Sequence, residues 1–142
     1  MQEFFFVRCD GKYEKVNFSE LIFVRSRRAY MQVVTEHKTY LVLNRMELVQ
    51  QYLPKELFCR IHRSYIVALE KVRAFDNFKV LLYPPPEGKV YRPGLARMQE
   101  LPIGEHFRKG LRESVSIMPN RAGVFTSVLN EAKFVLEGEE ME

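Results

Sequence analysis

Two short stretches carry the side chains best suited to gripping a polyanion. The first, Arg25-Ser26-Arg27-Arg28-Ala29-Tyr30, crowds three arginines into four positions. A guanidinium presents a fixed fork of donors that matches phosphate oxygens and the O6/N7 edge of guanine, so a loop with several of them suits DNA contact. The competing expectation is a solvated turn whose arginines pair with nearby glutamates, as surface charges usually do. The second stretch, Phe58-Cys59-Arg60-Ile61-His62-Arg63-Ser64-Tyr65-Ile66-Val67-Ala68, sets a basic and hydroxyl cluster inside an apolar run. Arg60, Arg63 and Ser64 can donate to phosphates or base edges, as can His62 if protonated or in the right tautomer. A single histidine is nonetheless more often buried and satisfied than a contact residue. A Cys59–His62 nucleophile pair is disfavoured by geometry: the base must reach the thiol and be oriented by a third group, yet residues three apart on an extended chain point to opposite faces.

No other catalytic grouping stands out, and nothing in the sequence points to an enzyme, a metal site or a cofactor. Cys9 and Cys59 lie far apart and form no CxxC pair, so both read as reduced, structural thiols. No run approaches the roughly 20 apolar residues that span a bilayer, and no secretory leader is visible, so the expected location is the cytoplasm without membrane insertion. Charge is unevenly distributed. Glu137 to Glu142 holds four of the 18 acidic residues and no Lys or Arg, which leaves 14 against 22 basic residues and a formal +8 over residues 1–136. That balance favours a polyanionic partner, because basic side chains bind nucleic acid by releasing condensed counterions, although net charge alone is a weak signal.

The chain that must position these residues is 142 long and 46% hydrophobic, enough for one domain with its own core. Its punctuation is that of a mostly β protein, with β-branched and aromatic runs separated by turn residues about every 8 to 12 positions. Strands are expected at Glu3–Arg8, Tyr13–Asn17, Leu21–Arg25, Tyr30–Glu36, Thr39–Leu43, Phe58–Ile61, Lys71–Phe75 and Phe78–Tyr83. Asp10-Gly11 and Asp76-Asn77 suit tight hairpin turns, since these residues tolerate positive φ. Asn44 with Glu47 has the spacing of a capping box for a short helix with Met46, Val49, Gln50 and Leu53 on one face, stopped by Pro54. A second helix is expected from near Gly104 to about Glu113, with Phe107 and Leu111 one turn apart. Between Tyr83 and Glu100, three consecutive prolines mark an excursion between strands. The segment from Pro119 to Leu136 could be strand or helix.

The order ELIFVRSRRAYMQVVTEHKTYLVLNRMELVQQYLP, then ELFCRIHRSYIVALEKVRAF, then ELPIGEHFRKGL resembles the LytTR DNA-binding domain over roughly residues 3–115. The FxRxHRSYIV block is its specific part. The resemblance implies a mainly β fold, an elongated arrangement of small antiparallel sheets with two short helices, whose loops enter successive major grooves of a bent double-stranded DNA in place of a recognition helix. It places a first contact loop on Arg27, Arg28 and Tyr30, a second on His62, Arg63 and Ser64, and a third where Gly104, Glu105 and His106 stand. Relatives often have a basic residue near Glu105, so His106, Arg108 or Lys109 takes over the backbone contact here. Ala68 departs from the family's common Asn.

The expected division is a DNA-binding domain over 1–115, with a Pro-rich insertion at 84–97, followed by a C-terminal extension over 116–142. Because Met1 leads at once into the first strand, the expectation is a stand-alone bacterial regulator without a receiver domain. Control then comes from a separate protein partner or from homodimerisation on repeated half-sites. The alternative is a module that keeps the fold and binds protein or RNA.

Overall fold

Short apolar runs such as Leu21-Ile22-Phe23-Val24 alternate in the wrong rhythm for a sheet with one wet face, and the structure shows why. In the computed structural model, which describes residues 3–84 and 100–121, this run is the centre of a sheet buried on both sides. Strands β1 (Phe4–Cys9) and β2 (Lys12–Asn17) form a hairpin. β3 (Leu21–Arg27), β4 (Tyr30–Thr35), β5 (Thr39–Val42), β6 (Phe58–His62) and β7 (Tyr65–Ala68) form a five-stranded antiparallel sheet in the order β5-β4-β3-β7-β6. β8 (Val72–Phe75), β9 (Lys79–Leu82) and β10 (Glu100–Pro102) form a third sheet in the order β10-β9-β8. Two short helices complete the described chain, α1 (Met46–Tyr52) and α2 (Arg108–Glu113).

One core joins Phe5, Val7 and Val16 of the first hairpin to Met46 and Leu53 around α1 and to Leu21, Val24, Met31 and Ile66 of the large sheet. A second core joins Ile22, Phe23 and Val67 on the sheet's other face to Val80, Leu82, Leu101 and Leu111 of the third sheet and α2. Each such fully buried side chain contributes about 1.5–3 kcal/mol of apolar transfer free energy. A bulge between Leu21 and Phe23 shifts the register, so neighbouring residues can serve both cores.

The mainly β, small-sheet architecture with two short helices agrees with expectation; several local features do not. β7 was not expected as a separate strand, and neither was β10, whose Pro102 is tolerated because β10 is an edge. Asp10 and Gly11 do take positive φ, at 52° and 77°. Asp76-Asn77 turns without positive φ: Asp76 Oδ1 accepts the backbone N–H groups of Phe78 at 2.7 Å and Lys79 at 2.9 Å. The capping box is absent as well. α1 begins after an extended Arg45 with no side-chain cap, Asn44 accepts only the adjacent Arg45 N–H, and the Glu47 carboxylate is drawn away to Arg60. The second helix is a single 3-10 turn at Glu105–Phe107 continued by α2. Most of the Pro-rich segment and all of residues 122–142 lie outside the described residues.

Candidate nucleic-acid interface

β3 runs antiparallel to both β4 and β7, so the β3–β4 and β6–β7 turns emerge at the same end of the sheet. The first is a two-residue loop, Arg28-Ala29, closing on the Arg27–Tyr30 pair; the second, Arg63-Ser64, closes on His62–Tyr65. The Ser26 N–H donates to the Ser64 carbonyl at 2.9 Å and ties the turns together. Arg28 takes φ +55°, the left-handed region that costs a non-glycine residue about 1–2 kcal/mol. The third loop is pinned to the second by the Gly104 N–H, which donates to the Ile61 carbonyl at 2.8 Å. A Cβ at Gly104 would stand 3.0 Å from the Phe107 ring and 3.6 Å from the His62 Cα, so glycine permits this close approach.

The arginines at this end fall into two kinds. Arg27, Arg28 and Arg63 are exposed, and their side chains have no carboxylate partner among the described residues. Arg60, expected as a DNA contact, is 13% exposed and spent internally. Its guanidinium donates to the Arg63 carbonyl at 2.8 Å, Gln50 Oε1 at 3.1 Å, Glu47 Oε2 at 3.3 Å and the His62 carbonyl at 3.4 Å, and sits 5.5 Å from the centre of the Phe107 ring. It clamps the second turn to α1 and to the third loop. This demand on acceptors from a distant helix was not visible in the local pattern of the strand.

His62 Nδ1 accepts the Ser64 N–H at 3.0 Å, so the neutral ring carries its proton on Nε2 as a donor. Burial, together with the Arg63 and Arg60 charges, holds its pKa below the ordinary histidine value. The Cys59 thiol, 3.5 Å from Ser114 Oγ in the second core, has its pKa raised by burial, while the His62 nitrogen that could act as base is committed to Ser64. No nucleophile pair forms. Among the described residues there is no cluster of His, Cys, Asp or Glu able to hold a metal ion.

The third loop exposes Glu105, His106 and Lys109, while Arg108 is half-buried. Arg108 Nε donates to the Asn77 carbonyl at 2.7 Å and its guanidinium lies 5.1 Å from the centre of the Phe78 ring, in the β8–β9 turn. Arg112 Nη1 approaches Asn77 Oδ1 at 3.4 Å. The sequence marked Asp76-Asn77 as a turn but put Phe78 in the following strand and gave the turn no role at the site; in the structure Phe78 precedes β9 and belongs to the turn.

The model of the LytTr DNA-binding domain family matches residues 11–115. The chain belongs to the LytTR family. Among solved structures, the chain is similar to the LytTr DNA-binding domain of a protein described as a methyl-accepting/DNA response regulator from Bacillus cereus. That likeness has 19% identity and a TM-score of 0.60, and covers 80% of this chain and 97% of that one. No curated protein matches the chain. In this LytTR domain Ala68, expected to depart from an asparagine, is buried in the first core opposite Phe58, and the Leu69 N–H is satisfied by the Leu57 carbonyl at 2.9 Å. No helix among the described residues is long and apolar enough to cross a membrane.

Proposed function

We propose that this LytTR domain binds double-stranded DNA sequence-specifically through loops in successive major grooves and acts as a bacterial transcriptional regulator in the cytoplasm. The observation that carries the reading is the row of exposed guanidinium groups without a carboxylate partner among the described residues, Arg27, Arg28 and Arg63, at two turns joined by a backbone hydrogen bond. Guanidinium forks on adjacent turns match base edges and phosphates without a recognition helix. Tyr30, His62 and Ser64 complete the first two contact turns, and His106, Arg108 and Lys109 supply backbone contacts from the third loop. Arg60 serves as a positioning residue behind them. Control by a separate protein partner, or by homodimerisation on repeated half-sites, belongs to the same reading.

The outer face of the β1–β2 hairpin favours a second reading. Cross-strand pairing puts Phe4, Phe6, Arg8, Tyr13 and Lys15 on one side, away from the first core, with Phe6 and Tyr13 exposed. That aromatic and basic surface suits a protein or RNA partner. A fluorescence anisotropy assay of the full chain, with a fragment of its own upstream DNA against scrambled duplex and single-stranded RNA, separates the two. A specific DNA binder should prefer its site by about a thousandfold or more at physiological salt. Equal affinity for site and scrambled duplex refutes the DNA reading.

A further inference from the structure

A lone exposed phenylalanine is ordinary on a protein surface, but Phe78 is placed where chance would not need it. It is 68% exposed at the tip of the β8–β9 turn, under the Arg108 guanidinium. Its carbonyl accepts the Ile103 N–H at 2.8 Å, one residue before Gly104 docks on Ile61. Backbone hydrogen bonds therefore run from turn to turn: Ser26 to Ser64, Gly104 to Ile61, and Ile103 to Phe78. The β8–β9 turn is the next member of that row, beyond the third loop.

The charges around this tip are suited to a polyanion. Arg108 keeps its two terminal nitrogens clear of the Asn77 bond made by Nε, and Arg112 reaches the same asparagine with one nitrogen. Asp76, within the turn, points its carboxylate onto the Phe78 and Lys79 N–H groups, which stabilises the ionised form and holds its pKa below the usual carboxylate value. Lys79 pairs with Glu100 at 3.6 Å, on the strands behind the turn. A guanidinium stacked on an aromatic face loses little of its hydrogen-bonding edge, so a ring beneath it holds that edge in one direction.

We propose that the β8–β9 turn is a further DNA-contacting element, with Phe78 packed against the sugar and base edge of the duplex and Arg108 and Arg112 on the flanking phosphates. This rests on the DNA-binding reading and extends the footprint past the third loop. It also explains why Arg108 is held on the turn: Asn77 and Phe78 aim it.

The test uses the full chain and the duplex that wild-type protein selects from a randomised pool. Arg112→Gln should reduce the slope of log affinity against log salt by about one unit, the loss of one phosphate contact. Phe78→Ala should weaken binding severalfold with the salt slope unchanged, and should shorten the hydroxyl-radical footprint on the third-loop side only. Phe78 is exposed, so thermal unfolding should stay near wild type; if it does not, Arg112→Gln decides the question alone. Wild-type affinity, salt slope and footprint in both variants overturn the proposal and leave the parent reading standing. Failure of wild-type protein to select any duplex overturns both.

Discussion

The two ends of the five-stranded sheet treat their cations in opposite ways. At the end holding the β4–β5 turn, Lys38 pairs with Glu14, Lys71 with Glu36 at 3.2 Å, and His37 faces Glu20 at 3.8 Å. Lys71 also donates to the Ser19 carbonyl at 2.8 Å, closing that end of the sheet. At the other end Arg27, Arg28 and Arg63 stand without carboxylates among the described residues, and the ion pair made there, Arg60 with Glu47, belongs to the clamp behind the turns. Carboxylates are plentiful in this chain, which holds 18. That none of them pairs with Arg27, Arg28 or Arg63 among the described residues weighs against a turn whose arginines are neutralised by glutamates. An end rich in uncompensated positive charge is repelled by itself and gains by meeting an anion.

The sharpest way to break this contrast is to compare the two arginines of one hairpin. Arg60→Ala removes a guanidinium from four acceptors and should cost about 1–3 kcal/mol of stability, while also weakening DNA binding because the second turn loses its clamp. Arg63→Ala should leave stability within about 0.5 kcal/mol. It should weaken binding by about 1–3 kcal/mol and relax discrimination at one base position. Lys38→Ala, at the paired end, should lower the unfolding midpoint without changing DNA affinity. Urea denaturation and anisotropy titrations read all three; equal behaviour of Arg60→Ala and Arg63→Ala in both assays would remove the distinction drawn between them.

A smaller effect separates strain from contact at the first turn. Arg28→Gly relieves a left-handed residue worth about 1–2 kcal/mol, a gain partly offset by about 0.4–1 kcal/mol of extra unfolded-state entropy. Stability should therefore hold or rise slightly while DNA affinity falls. A fall in stability would show that the Arg28 side chain supports the fold.

The smallest expected effect is that of pH on His62. Its folded pKa is lowered, first by burial and then by the Arg63 and Arg60 charges, so the unfolded chain takes up a proton more readily than the folded one. The stability it contributes is present above the ordinary histidine value of about 6.5 and is lost as pH falls through the range below it. Protonation also displaces the Ser64 N–H from Nδ1. His62→Gln should flatten part of the dependence of the urea midpoint on pH below neutrality. Parallel profiles for the variant and wild type would remove the histidine from the account.

Much of the architecture was legible because strands with β-branched and aromatic runs announce themselves, as β1, β2, β4, β5, β8 and β9 did within a residue or two. The turns at the site were less legible. Hairpin reasoning looks for Gly, Asn or Asp, yet Arg28-Ala29 turns on a left-handed arginine. Arg63-Ser64 is held by the His62 ring and by the Arg60 guanidinium bound to the Arg63 carbonyl. With those supports out of sight, Phe58 to Ala68 reads as an interrupted run, and β7 escapes notice. The capping box failed for a related reason: Glu47 has a stronger partner across the fold than the helix end it could have capped.

The sequence by itself determined the inventory: apolar runs that had to be buried, a basic excess over most of the chain, and arginines gathered in two short stretches. Only the tertiary structure decided which arginine is free and which is fixed. Arg60 and Arg63 are the same residue type three positions apart, and local pattern cannot separate them. What separates them is that α1 and the third loop bring Glu47, Gln50 and Phe107 to the Arg60 guanidinium, while among the described residues no carboxylate pairs with that of Arg63. Hydrogen bonds and charges act over a few ångströms of space, and the spacing of residues along a chain does not say which distant groups will arrive there.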